Sequence, residues 1–172
     1  EPIIRHAAGL GKAPKNRDAD VYEHFYAHVD VMVVGGGIAG LSAALAAGRG
    51  GARVLLVEQT ADWGGRAPVD GAQIDGMDGD AWVKNALQEL ESMSNVTCVA
   101  RCMGAGVYDH GYALAYERLT DHLADKDGPR HRLWRIRAKQ IVTATGAIER
   151  PLSFAGNDIP GVMLASAVRD YV

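Results

Sequence analysis

Hydrophobic positions along this chain follow two different rhythms. In the first, short runs are apolar throughout. Residues 30–34 and 53–57 read this way after one charged residue each, Asp30 and Arg53, which suits parallel strands covered on both faces. Between them Ile38, Leu41 and Leu45 recur at helical spacing among alanines, and Gly48-Arg49-Gly50-Gly51 stops the pattern. Strand, helix and strand within about thirty residues make a βαβ unit. Asp80 is a good N-cap for a second helix with Val83, Ala86, Leu87, Leu90 and Met93 on one stripe. Asn95 is expected to end that helix, and residues 96–99 to form a third strand.

From residue 103 the rhythm changes to a period of two. Residues 103–109 and 112–117 are predicted strands joined by a turn at Asp109-His110-Gly111. Residues 125–129 form a polar loop, and 131–138 alternate again. There Leu133, Arg135 and Arg137 take one face, expected to be solvated, and Trp134 and Ile136 the other. Residues 140–144 return to the continuous apolar style as a separate strand, and 163–172 begin a helix. The first 28 residues show no period, with a loop over 9–16 and Tyr22, Phe25 and Tyr26 available to pack against the rest. The expected fold is therefore α/β, a Rossmann-like parallel sheet with a small antiparallel β-meander. The expected organisation is an arm over 1–28 and a dinucleotide-binding domain over 29–172.

Bulk composition adds limits to this picture. The 172 residues suffice for one domain with a real core, and 48% hydrophobic with 23% charged content is ordinary for a globular protein. Glycine, at 21 residues, is over-represented against a usual share of roughly 7%. A formal charge of -3 without a long basic run favours neither nucleic acid nor an anionic membrane as partner. No leader or membrane-length apolar run is visible, so a cytoplasmic setting is expected. Cys98 and Cys102 lack the spacing of redox or zinc motifs, and Cys98 is expected to pack as a small hydrophobe. His24 and His28 would share a face of a helix, but no third ligand accompanies them, and no metal site is expected. The absence of an initial Met and the helical pattern at the end suggest a fragment.

Candidate chemistry sits where the first strand meets its helix. Gly35, Gly37 and Gly40 occupy the G-x-G-x-x-G positions, for the turn, the approach of a pyrophosphate and close helix packing respectively. Ile38 and Ala39 open the helix, whose first N–H groups and positive dipole end attract phosphate. Glu58 ends the second strand 23 residues after Gly35, close to the ~20 expected of a ribose-binding acid, and Gln59 follows it. A carboxylate there accepts bonds from the two ribose hydroxyls and repels a 2′-phosphate, which favours NAD over NADP. In Trp63-Gly64-Gly65-Arg66, Gly65 lets backbone pass near a cofactor and Arg66 can meet a phosphate. Thr145 and Gly146 end the later apolar run, at the sheet edge where such ligands bind. No nucleophile–base pair accompanies them, so no catalytic residue is assigned.

The order G-x-G-x-x-G, acid, Gly-Gly, meander, Ala144-Thr145-Gly146 resembles the glutathione-reductase-like group of two-dinucleotide-binding-domain flavoproteins. Within it, several segments are similar to the α subunits of heterotetrameric sarcosine oxidases. They include Glu1-Pro2-Ile3-Ile4-Arg5, Ala7-Ala8-Gly9-Leu10-Gly11, Tyr108-Asp109-His110, the run from Leu133 to Gln140, Ala144 to Pro151, Phe154 to Asp158 and Pro160 to Val168. The resemblance implies an FAD/NAD(P)-binding type of fold. It also implies a share in a flavoenzyme that demethylates sarcosine to glycine, releases hydrogen peroxide and passes the one-carbon unit to tetrahydrofolate. It places NAD here, with FAD as the alternative. The FMN and FAD of the complex, the sarcosine and tetrahydrofolate sites, the other α domains and the β, γ and δ subunits all fall outside this chain. Amino-acid dehydrogenase and hydrogen cyanide synthase subunits share much of the pattern. Two other readings stay open: a self-sufficient FAD or NAD oxidoreductase, and a structural module with an empty nucleotide site.

Overall fold

The computed structural model describes residues 2–9, 15–124 and 127–171, so the loops expected at 9–16 and 125–129 lie partly outside the described residues. The chain runs α1 (Pro2–Ala7), β1 (Tyr22–Val34), α2 (Ile38–Arg49), β2 (Val54–Val57), α3 (Ala67–Asp70), β3 (Gln73–Ile74), β4 (Met77–Asp78) and α4 (Gly79–Ser92). It continues through β5 (Val96–Val99), β6 (Cys102–Tyr108), a 3₁₀ turn at Asp109–Gly111, β7 (Tyr112–Arg118), β8 (His131–Thr143) and α5 (Ala165–Tyr171). Six strands form one sheet in the order β5-β2-β1-β8-β7-β6, and β3 pairs with β4 separately. β5, β2, β1 and β8 are mutually parallel, whereas β8, β7 and β6 form an antiparallel meander. The expected α/β class with a parallel sheet and meander is what the chain adopts.

Two apolar cores lie on opposite sides of this sheet. One packs Val33, Val54 and Leu56 beneath α2 and α4, which contribute Leu41, Ala44, Leu45, Val83, Ala86 and Leu90. The other collects Met32, Leu55 and Val57 with Cys102, Ala113, Ala115, Trp134, Ile136 and Ala138 of the meander. This second core exists because the sheet rolls on itself. The Arg101 and Cys102 N–H groups donate to the Thr60 and Glu58 carbonyls, each at 2.7 Å, so the start of β6 returns against the end of β2.

The strand boundaries depart from the sequence reading at one joint. The hydrophobic pattern predicts two strands over 131–138 and 140–144, and places 22–28 in an arm. Instead β8 is continuous over 13 residues and pairs with a 13-residue β1 from Tyr22↔His131 to Val34↔Thr143. The alternation does slip at the expected place. Ala27 and Val29, and then Met32 and Val34, join the same core, as do Trp134, Ile136 and Ala138, and then Ile141. Both strands therefore change parity together at Asp30 and Lys139. Asp30 pins that joint, accepting from the Arg53 N–H at 2.9 Å and pairing with Lys139 at 2.8 Å and the Arg53 guanidinium at 3.1 Å. The Arg53 and Lys139 hydrogen bonds hold its carboxyl well below the usual carboxylate range. On a strand, His24 and His28 stand about 13 Å apart, too far to share a metal.

The N-cap of α4 is Asp78, not Asp80: its carboxylate accepts from the Asp80 and Ala81 N–H groups at 3.0 and 3.4 Å. Gly79 enters the first turn because a Cβ there would stand 2.9 Å from the Ala72 carbonyl oxygen. Asn95 does not end the helix. Its side-chain amide donates to the Gly48 and Ala52 carbonyls at 3.0 and 2.7 Å, tying the end of α2 to the start of β5. Replacing Asp78 by Ala is expected to lower stability by about 1 kcal/mol. Asp80→Ala, which removes no capping bond, is expected to cost less; chemical denaturation of the two variants side by side checks this.

Candidate functional site

The carboxyl ends of β1, β2 and β8 open into one cleft of about 1020 Å³. Gly35, Gly37, Ile38, Ala39, Glu58, Gln59, Gly65, Arg66, Thr145 and Gly146 all line it. Ten residues from four stretches of sequence thus meet at the sheet edge where parallel α/β folds bind ligands. Gly40 is buried behind the others.

The three motif glycines are required for different reasons. Gly35 has φ 107°, and a Cβ there would lie 2.3 Å from the Ala144 carbonyl oxygen at the end of β8. A Cβ at Gly40 would lie 1.8 Å from the Gly35 carbonyl oxygen, so this residue lets α2 press against the turn. Gly37 is under neither constraint. Its φ is -72°, and a Cβ there would have the Gly65 Cα as its nearest neighbour, at 3.9 Å. The missing side chain faces the cleft, so the space it leaves serves whatever enters the cleft. Gly37 also caps α2 without a side chain to accept from the first-turn N–H groups, and that turn carries no acid. Unfilled donors and a positive dipole end therefore face the cleft.

Glu58 lies beside this turn with 8% of its surface exposed. One carboxylate oxygen accepts from the Gly36 N–H at 2.6 Å; the other accepts from the Thr60 N–H at 2.8 Å and the Thr60 hydroxyl at 2.9 Å. A carboxylate offers about four acceptor positions. The Thr60 hydroxyl also lies 2.8 Å from the Asp62 carbonyl oxygen and has one proton to share between the two, so two to three positions are engaged and one or two are free. The Gly65 side of the cleft is fixed by the Gly64 N–H donating to the Gly36 carbonyl at 2.8 Å. Arg66 reaches the cleft wall, but its guanidinium is bound to Asp170 of α5 at 2.8 Å and to Asp70 at 3.2 Å. Gln59 is held through its carbonyl, which accepts from Arg118 at 2.8 Å.

Three lining features escape the sequence reading. The Trp63 ring packs close against the turn, since a Cβ on Gly36 would meet it at 2.4 Å. Thr60 shares the Glu58 carboxylate. Met103 and Gly104 close the wall from β6, and only the rolling of the sheet brings them there. Of these, Thr60 alone has a local signal, a hydroxyl two residues beyond the acid. Cys102 borders the cleft but is fully buried. Burial, and then the Glu117 carboxylate, push its thiol up to about 12. Burial, and then Glu91, push that of Cys98 up to about 11.

This site occurs within a recognisable domain. Residues 30–145 match the family of FAD dependent oxidoreductases. The chain belongs to that family. It is 48% identical over its full length to the sarcosine oxidase subunit alpha of Rhizobium meliloti (strain 1021), covering 18% of that protein. Against the same subunit of Corynebacterium sp. (strain P-1) it is 47% identical, over 95% of this chain and 17% of the relative. The chain thus spans less than a fifth of the length of these curated relatives. Among solved structures, the L-proline dehydrogenase of P. horikoshii superposes with a TM-score of 0.60 at 28% identity, covering 86% of this chain and 28% of that one. The family's dinucleotide would meet a fitting cradle here: an open glycine, uncapped amides and a carboxylate with acceptor capacity to spare.

Two expectations follow. Gly37→Ala should leave the melting temperature within about 1 °C, because its methyl makes no more than an ordinary van der Waals contact with Gly65, while abolishing nucleotide binding. Gly40→Ala should lower stability by roughly 1–3 kcal/mol through overpacking. Thermal melts with ligand titration separate the two. In the native protein at about pH 8, near an ordinary thiol pKa of roughly 8.5, iodoacetamide should leave Cys98 and Cys102 unmodified. Both should react after unfolding, as read by mass spectrometry.

Proposed function

We propose that this chain is the dinucleotide-holding part of a larger, multi-subunit oxidoreductase, and that its ligand is NAD. The observation that carries the reading is the open position at Gly37, set over uncapped helix amides and beside the Glu58 carboxylate. Gly35, Gly37, Ile38, Ala39 and Gly40 shape the seat for the pyrophosphate, Glu58 with neighbouring Gln59 takes the adenine ribose, and Gly65, Thr145 and Gly146 line the remainder. Arg66 reaches a phosphate by leaving Asp170. NAD, when bound, supplies hydride transfer. The Glu58 carboxylate opposes a 2′-phosphate and so disfavours NADP.

For the whole protein, the similarity to sarcosine oxidase subunits supports oxidative demethylation of sarcosine to glycine, with hydrogen peroxide released and the one-carbon unit passed to tetrahydrofolate. Substrate sites, FMN, a further FAD and the β, γ and δ subunits then belong outside these residues, and the setting is cytoplasmic. Among the described residues no helix is long and apolar enough to cross a membrane. The family match favours a second reading, FAD in this same cleft.

Calorimetric titration of the cofactor-stripped full-length protein with NAD, NADP and FAD tests both, with Gly37→Ala as the control that assigns binding to this cleft. NAD binding without a flavin spectrum, lost in the control, is the expected result. Flavin absorbance lost in the control selects FAD, and binding of neither defeats the dinucleotide reading. Glu58→Arg is expected to weaken NAD at least about tenfold, or roughly 1.4 kcal/mol. Unchanged affinity in a variant that still melts cooperatively would remove the ribose role from Glu58.

A further inference from the structure

The outer face of the meander is uncovered in this chain, and its chemistry is one-sided. On the inner face Trp134, Ile136 and Ala138 are buried. On the outer face Arg135 stacks over Tyr26 (5.6 Å from cation to ring centroid) and Arg137 over Tyr112 (4.8 Å). The strand register puts these pairs side by side, because Arg135 lies opposite Tyr26 and Arg137 opposite both His28 and Tyr112. His24 and His28 extend the same face along β1. Around the two arginines this face carries no free carboxylate: Asp30, next along β1, is taken by Arg53 and Lys139, and Asp121, beside His131, by Arg130.

The two arginines also lack the carboxylate partners that Arg132 of the same strand has found. Arg132, on the inner face, is paired with Glu23 at 2.6 Å and Glu117 at 3.2 Å. Among the described residues Arg135 and Arg137 make no ion pair; they donate only to the Tyr26 hydroxyl and the His110 carbonyl. The Arg135 Nε is buried with no acceptor at all. A buried donor without a partner costs free energy until one is supplied. Tyr26 is nonetheless 63% exposed. Tyrosine and arginine are the residues enriched at the centres of protein interfaces, and cations held on rings are pre-ordered for carboxylates. The platform measures roughly 14 by 20 Å from strand spacing and rise, the scale of an interface centre.

We infer that this face docks a carboxylate-bearing surface of another subunit, with Arg135 and Arg137 as its anchors. From the proposed function the inference takes only that the protein works in a multi-subunit assembly, as the subunit names of its relatives suggest. It does not use the cleft. The partner's acids neutralise the two guanidinium groups at their terminal nitrogens, while its apolar atoms cover Tyr26 and Tyr112.

Hydroxyl-radical footprinting of the purified complex, compared with the separated full-length chain, reads the face directly. Tyr26 and Tyr112 are expected to be protected in the complex and reactive in the separated chain. The double variant Arg135→Glu, Arg137→Glu should weaken subunit association at least about tenfold in sedimentation measurements, with nucleotide binding and melting temperature of the separated chain unchanged. Reactive tyrosines in the intact complex overturn the inference. Protection already present in the separated chain also overturns it, by assigning the face to another domain of the same polypeptide. Loss of nucleotide titration without loss of assembly would overturn the anchoring role of the two arginines and bear on the cleft alone.

Discussion

Two 13-residue strands lying side by side, β1 and β8, set the position of everything else. Their carboxyl ends hold the glycine turn and Thr145, so the cleft exists only where they stop together. Their amino-terminal halves carry the meander, and Asp30 pins them midway through Arg53 and Lys139. Parallel pairing of residues more than a hundred positions apart carries a loop-closure cost that a compact intervening chain reduces. The βαβ unit and the rolled meander provide that compactness.

The cleft shows how one carboxylate serves structure and recognition at once. Glu58 is held by Gly36 and Thr60 before any ligand arrives. That arrangement fixes the carboxylate beside the turn with acceptor capacity to spare. Arg66 is different, since its partners are the carboxylates of Asp70 and Asp170 at half-exposed positions. Such pairs contribute little to stability, and a phosphate competes with them on equal terms. The glycines divide in the same way, with Gly35 and Gly40 committed to packing and Gly37 free of that constraint.

Much of this is legible in the sequence because the signals are local. The glycine spacing, the acid at the end of β2 and the Thr145-Gly146 strand end each announce themselves within a few residues, and the structure brings them to one cleft. Features that depend on tertiary pairing are not legible. Residues 22–28 have no period of their own because both faces of that segment are decided by β8. The break at Lys139 looks like a strand boundary because a parity change and a strand end leave the same trace. Met103 reaches the cleft only through the roll of the sheet. Asp78 and Asp80 compete as caps at a spacing that helix propensity does not resolve, and the buried Gly79 decides between them.

The joint at Asp30 and Lys139 has a consequence of another kind. Since both strands invert together there, the in-and-out rule for the cleft-bearing half says nothing about the rule for the meander half. The core that Met32, Leu55 and Val57 share with the meander still couples the two halves. A residue inserted or deleted at the joint on one strand must therefore be matched on the other, or one half turns its apolar side chains to the wrong face.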